Sequence, residues 1–235
     1  MNKLIQLNGL SKSYGSVTAL DNVNLEVESG HIVGLLGPNG SGKTTMIKIL
    51  CGLLRPSSGT VLVDGNKIGV ETKSVISYLP DKTYLDESRT IKQNIELFMD
   101  FYQDFDPARA YDMLARLNLN PDVKIKTLSK GNKEKVQLIL VMSRHAKLYI
   151  LDEPIAGVDP AARDYILHTI ISNYDHQATI LISTHLISDV ENVLDEAIFL
   201  QNGHIVLHSS VNALRQQHGK TIDELFREVF RCWGN

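Results

Sequence analysis

No stretch of this 235-residue chain is long and apolar enough to cross a membrane. A spanning helix needs about 20 apolar residues in a row. The best candidate, Val136 to Met142, is short and broken by Gln137. A secretory h-region is missing too, because Met1-Asn2-Lys3-Leu4-Ile5-Gln6 turns polar at once. Cysteine is scarce. Cys51 and Cys232, far apart, suit reduced thiols in a cytoplasmic protein better than a disulfide framework. Nor is positive charge in excess: 24 Lys and Arg against 27 Asp and Glu leave a net charge of -3, with no bulk reason to bind nucleic acid or anionic lipid. Internal repeats and low-complexity segments are absent. The 43% of hydrophobic residues support a packed core, read here as a single domain over 1–235.

One stretch organises what is present. Gly37-Pro38-Asn39-Gly40-Ser41-Gly42-Lys43-Thr44-Thr45 follows the apolar run Ile32 to Leu36 and opens Met46 to Leu50, which reads as a helix. Strand, glycine-rich loop and helix in that order make a phosphate-binding P-loop. Gly37, Gly40 and Gly42 are expected at positive φ, pointing successive N–H groups into one concavity at a helix N-terminus. Lys43 would reach the β- and γ-phosphates, and Thr44 would set its hydroxyl on Mg²⁺. A glycine-rich turn before a buried helix is the plainer alternative. Its four fixed positions match by chance on the order of once per hundred sequences.

Around this loop the pattern alternates between strands and helices. Leu4 to Leu10 reads as a strand, Ser11 to Gly15 as a turn, and Val23, Leu25 and Val27 as a second strand. With Thr60 to Val63 and an Asp64-Gly65 hairpin turn, they suggest a small antiparallel layer. The P-loop helix is expected to end near Leu54, where Arg55-Pro56 breaks it. From Asp86 to Ser129 the character turns helical: Ile91, Ile95, Phe98 and Tyr102 recur at helical spacing, and Pro107 starts a second helix with Tyr111, Leu114 and Leu117. Adding a helix over Lys133 to His145 gives a helical subdomain of about 86–146. Val75 to Leu79, Leu148 to Leu151 and Thr179 to Ile182 read as buried strands. Asn202-Gly203 signals another hairpin, and Thr221 to Glu224 a capping box within a short C-terminal tail, 204–235. The expected fold is α/β: a P-loop NTPase core on a mostly parallel sheet, with the antiparallel layer and helical insertion attached.

Asp152-Glu153 ends an apolar strand, where parallel sheets place their ligands. Asp152 would hold Mg²⁺, and Glu153 would polarise the water that attacks the γ-phosphate. A strand running into a charged turn is the bland alternative. His185, after another apolar strand, is by itself more often structural than catalytic, and Tyr14 by itself is a turn aromatic.

Taken together these motifs resemble the nucleotide-binding subunit of an ABC transporter, in family order over nearly the whole chain. Tyr14 matches the aromatic that stacks on adenine, and Gly37 to Thr45 match Walker A. Leu128-Ser129-Lys130-Gly131-Asn132 resembles the signature, usually Leu-Ser-Gly-Gly-Gln. Leu148 to Glu153 match Walker B, Gly157-Val158-Asp159 resembles the D-loop, and His185 matches the switch histidine. The resemblance implies head-to-tail pairing with a second such subunit. Each ATP would then lie between one P-loop and the other copy's Ser129, Lys130, Gly131 and Asn132. It implies catalytic roles for Lys43, Glu153 and His185, and separate membrane permease subunits that hold the chain at the inner face of the cell membrane.

Two positions depart from the family. Asp81 stands where glutamine usually follows the Tyr78-Leu79-Pro80 strand; a carboxylate can ligate Mg²⁺ but cannot donate to water as an amide does. Lys130 replaces a signature glycine and brings a cation near phosphate. These variants look most like bacterial exporter ATPases, including those for phenol-soluble modulins and the antibiotic-responsive transporters of Gram-positive bacteria. That resemblance implies export of peptides or of amphipathic or toxic compounds. A soluble ABC-type ATPase acting on ribosomes or DNA is the alternative. Such relatives usually carry two nucleotide domains or a long coiled coil between Walker A and signature, whereas here fewer than a hundred residues separate the two. A nucleotide kinase or small GTPase would leave the signature and His185 unexplained.

Overall fold

The computed structural model describes residues 3–158 and 160–231. The chain runs β1 (Lys3–Tyr14), β2 (Val17–Glu28), β3 (Ile32–Leu36), α1 (Lys43–Leu50), β4 (Ser58–Val63), β5 (Asn66–Lys67), α2 (Val70–Val75) and β6 (Ile76–Leu79). It continues through α3 (Ile91–Phe101), α4 (Pro107–Arg116), α5 (Lys130–Met142), β7 (Leu148–Asp152), α6 (Pro160–Ser172) and β8 (Thr179–Thr184). The last elements are α7 (Ile187–Val190), β9 (Glu196–Gln201), β10 (His204–Ser210), α8 (Val211–His218) and α9 (Ile222–Arg231). No helix among the described residues is long and apolar enough to cross a membrane.

The strands form two sheets. A six-stranded sheet, ordered β10-β9-β3-β8-β7-β6, is parallel except for β10. An antiparallel sheet, β2-β1-β4-β5, lies beside it. Along β3, Val33 and Leu35 enter the core shared with the antiparallel sheet and α1, while Ile32 and Leu36 enter the core beneath α5 and α6. β7 alternates the same way, with Leu148 and Ile150 on one side and Tyr149 and Leu151 on the other. Burial on both faces is what makes these strands read as unbroken apolar runs. Because β3, β8, β7 and β6 are parallel neighbours, the segments beginning at Gly37, His185, Glu153 and Pro80 all leave the same sheet edge.

The helical insertion is present. Ile91, Ile95 and Phe98 are buried, so the helical stripe of α3 is core. Both hairpins are also where expected: Asp64-Gly65 and Asn202-Gly203 have positive φ at both central residues, the type I′ geometry. Element boundaries differ most at β1, α1 and α5, and Val75, expected to open a strand, instead ends α2. β1 does not turn at Ser11 but continues to Tyr14, its register with β2 shifting through irregularities beyond Leu7, with Gly9 at φ 60. α1 stops at Leu50 rather than near Leu54. Gly52 at φ 68 closes it in a Schellman turn, Leu53 N–H donating to Lys48 O at 2.8 Å and Gly52 N–H to Ile49 O at 3.0 Å. α5 spans Lys130–Met142 instead of Lys133 to His145, because Ser129 caps its start, its hydroxyl accepting from Asn132 N–H at 3.3 Å.

Candidate functional site

The P-loop bends between β3 and α1 around a cleft lined by Ala19, Asn39 to Thr45, Asp81 and Glu153. Gly40 and Gly42 take φ of 79° and 109°, as expected, but Gly37 does not. Its constraint is space: a Cβ there would run into the Leu200 carbonyl and the Ser41 hydroxyl. Pro38 and Asn39 are exposed at the loop's crest, while Ser41 is buried. The Asn202-Gly203 hairpin braces the loop, Gly203 N–H donating to Ser41 O at 3.0 Å. Lys43 is only 6% exposed; its ammonium donates to Gly37 O at 2.7 Å and Pro38 O at 3.2 Å. Burial lowers its pKa, opposed by the charges of Glu153 and Asp152.

Beneath the loop, β7 and β8 supply the carboxylates and their props. Asp152 pairs in register with Ser183, whose hydroxyl donates to Asp152 Oδ1 at 2.5 Å; the Thr44 hydroxyl lies 3.5 Å from the same oxygen. Asp152 Oδ2 is buried without a partner. Burial raises the pKa of this carboxyl, against the hydrogen bonds from Ser183 and Thr44 and with the charges of Asp81 and Glu153 adding to the rise. An orphaned buried carboxylate oxygen beside a hydroxyl, with Asp81 on the cleft, is an all-oxygen donor set suited to a hard divalent cation. Mg²⁺ fits the residues present.

Glu153 carries backbone strain. Its φ of 51° is left-handed, a conformation that costs a side-chain-bearing residue about 1 kcal/mol. Its N–H donates to Ser183 O at 3.1 Å and to the Ser183 hydroxyl at 3.0 Å, which holds the turn. The carboxylate then sits 3.7 Å from Lys43 Nζ and 3.0 Å from His185 Nδ1. Ser183 therefore positions both carboxylates. Its sequence signal, a serine between an apolar strand and His185, was too generic to single it out.

The structure brings Lys43, Thr44, Asp81, Asp152, Glu153 and His185 together. Tyr14 does not line the cleft; it is half exposed at the end of β1, with Lys12 Nζ 5.2 Å from its ring centroid. Ser129, Lys130 and Gly131 are exposed and lie outside the cleft, as does half-buried Asn132. Lys130 Nζ reaches toward Gly157 and stands 3.8 Å from Glu134. Asp159 and Cys232 fall outside the described residues. Cys51 is buried at the end of α1, its thiol pushed up to about 12 by burial.

Residues 20–156, more than half of the chain, match the family model described as ABC transporter. The chain belongs to this family, as an ATP-binding subunit. It is 31% identical over 220 residues to the ABC transporter ATP-binding protein YtrB of Bacillus subtilis, covering 92% of this chain and 75% of that one. The SkfA peptide export ATP-binding protein SkfE of the same organism is 29% identical over 99% of this chain and 98% of its own. A solved ATP-binding subunit of an ABC transporter superposes with a TM-score of 0.84 at 30% identity, over 97% of this chain and 99% of that one. The expected α/β architecture is thus the ABC ATPase fold, and the chain is an ATPase of that family.

Proposed function

We propose that this subunit hydrolyses ATP with Mg²⁺ and drives an exporter of peptides or of amphipathic or toxic compounds. Asp152 carries the reading: a buried carboxylate with one free oxygen, set under the P-loop between Thr44 and Ser183. Backbone N–H groups of the P-loop from Asn39 to Thr45 and the Lys43 ammonium bind the triphosphate, for which Lys43 gives up the Gly37 and Pro38 carbonyls. Thr44, Asp152 and Asp81 would hold Mg²⁺, which when bound offsets the phosphate charge. Glu153 takes the proton from the attacking water. His185, 3.0 Å away, orients that carboxylate.

The exposed Ser129 helix end, outside its own cleft, supports head-to-tail pairing in which Ser129, Lys130, Gly131 and Asn132 close on a neighbour's nucleotide. Tyr14 would stack on adenine. A groove lined by Leu53, Tyr84, Phe98, Phe101 and Tyr102, with Lys48 and Lys73 at its rim, suits docking of a separate permease at the membrane's inner face. The peptide export named for SkfE supports the export direction. We read residues 1–235 as one domain, with a helical subdomain of about 86–146 and a tail of 204–235.

Mixing two dead variants tests the pairing. Lys43→Ala spoils the site on its own copy, and Ser129→Arg spoils its neighbour's. Each is expected to lose ATP hydrolysis alone. Mixed dimers unite both lesions in one site and leave the other intact, restoring up to about a quarter of wild-type turnover. A mixture as inert as its parts would overturn head-to-tail pairing.

A further inference from the structure

Gln137 is the polar break in the apolar run Val136 to Met142, and it is only 3% exposed. A buried amide without partners costs about 1–3 kcal/mol, so its partners matter. Both ends of the side chain meet the segment between β6 and α3. Tyr84 N–H donates to Gln137 Oε1 at 3.0 Å, and Gln137 Nε2 lies 3.5 Å from Pro80 O. These two backbone groups bracket Asp81.

The segment from Pro80 to Tyr84 touches three spaces. Asp81 borders the P-loop cleft; Pro80, Asp81 and Tyr84 border the apolar groove; and Pro80, Asp81 and Thr83 share a small cavity with Glu134, Gln137 and Glu153. Gln137 itself sits on α5, whose first residue follows the capping Ser129. One buried side chain therefore spans from the helix that begins at the signature to the loop that carries the cleft's outer carboxylate.

We propose that Gln137 is a positioning residue, pinning the Asp81 loop to the signature helix so that the two move as one body. The inference rests on the roles proposed above for Asp81 and Ser129. Its neighbours on α5, Val136 and Leu138, are core, so Gln137 is the polar side chain that this stretch of the helix turns toward the cavity shared with Asp81, Thr83, Glu134 and Glu153.

Gln137→Met keeps length and fills the same space while removing both amide contacts. In hydrogen exchange on the full chain, the Tyr84 amide is expected to exchange about tenfold faster, with α1 amides unchanged. Turnover is expected to fall about tenfold with KM for ATP within about twofold, because the P-loop still holds the nucleotide. Gln137→Glu, which restores an acceptor for Tyr84 N–H, should recover the slow exchange. Wild-type exchange at Tyr84 in the methionine variant overturns the proposal. So does a uniform loss of protection, with KM rising as kcat falls, because that outcome marks a purely structural residue. The exchange measurement needs no turnover. An inert wild-type chain with the Tyr84 response intact would sink the ATPase roles and leave the pin standing.

Discussion

Glu153→Gln is expected to cut ATP turnover about a hundredfold or more while leaving nucleotide binding intact. The side chain keeps its shape, and the backbone stays held by Ser183, so the turn at φ 51° has no reason to relax. What is lost is the base. A carboxylate accepts the proton of the attacking water, whereas an amide does not at neutral pH. The change also removes a negative charge 3.7 Å from Lys43, freeing that ammonium for phosphate. ATP should therefore bind at least as well, and the paired state should accumulate. Steady-state hydrolysis and gel filtration with and without Mg²⁺ and ATP read the two effects separately. Wild-type turnover in this variant would remove Glu153 from the chemistry. A dead enzyme that never dimerises would keep the base and point to a non-identical partner subunit.

Legibility in the sequence tracks how local each cause is. The P-loop, the Asp64-Gly65 and Asn202-Gly203 turns and the Thr221 capping box are written within a few residues. In that box Glu224 N–H donates to the Thr221 hydroxyl at 3.1 Å and Thr221 N–H to the Glu224 carboxylate at 3.0 Å. Asp152 and Glu153 are legible because an apolar strand delivers its end to the sheet edge, whereas His185 stands out only through the resemblance of the whole motif set. The misplacements come from partners distant in sequence or from backbone geometry. Gly37 looks like another flexible glycine until Leu200 is folded against it. α1 looks as if it runs to the proline until Gly52 takes its left-handed φ. Ser183 and Gln137 are ordinary letters whose meaning depends on which strand or loop lies opposite.

Arg144 belongs to the same class, and its replacement by alanine is expected to destabilise the chain by about 3–5 kcal/mol. It is 3% exposed, just past α5, and its guanidinium grips Asp104 with two bonds of 3.0 Å. The remaining donors reach Ile76 O at 2.5 Å and Ser74 O at 2.7 Å, while the Tyr102 ring centroid lies 3.9 Å from its Cζ. One side chain thus bolts the α3–α4 connection to β6, the edge strand of the six-stranded sheet. Alanine would leave a carboxylate and two carbonyls unpaired around a cavity. Lysine keeps the charge but lacks the planar fork, so it should recover little. Against a typical domain stability of about 5–15 kcal/mol, alanine removes about a fifth or more, visible as a lower urea midpoint. A loss under about 1 kcal/mol would mean the bonds to Asp104, Ile76 and Ser74 barely outweigh the desolvation of the guanidinium. These helices would then be held to the sheet by the apolar contacts of Phe98, Phe105 and Val136 and by bonds such as that from the Ser77 hydroxyl to Val141 O at 2.8 Å.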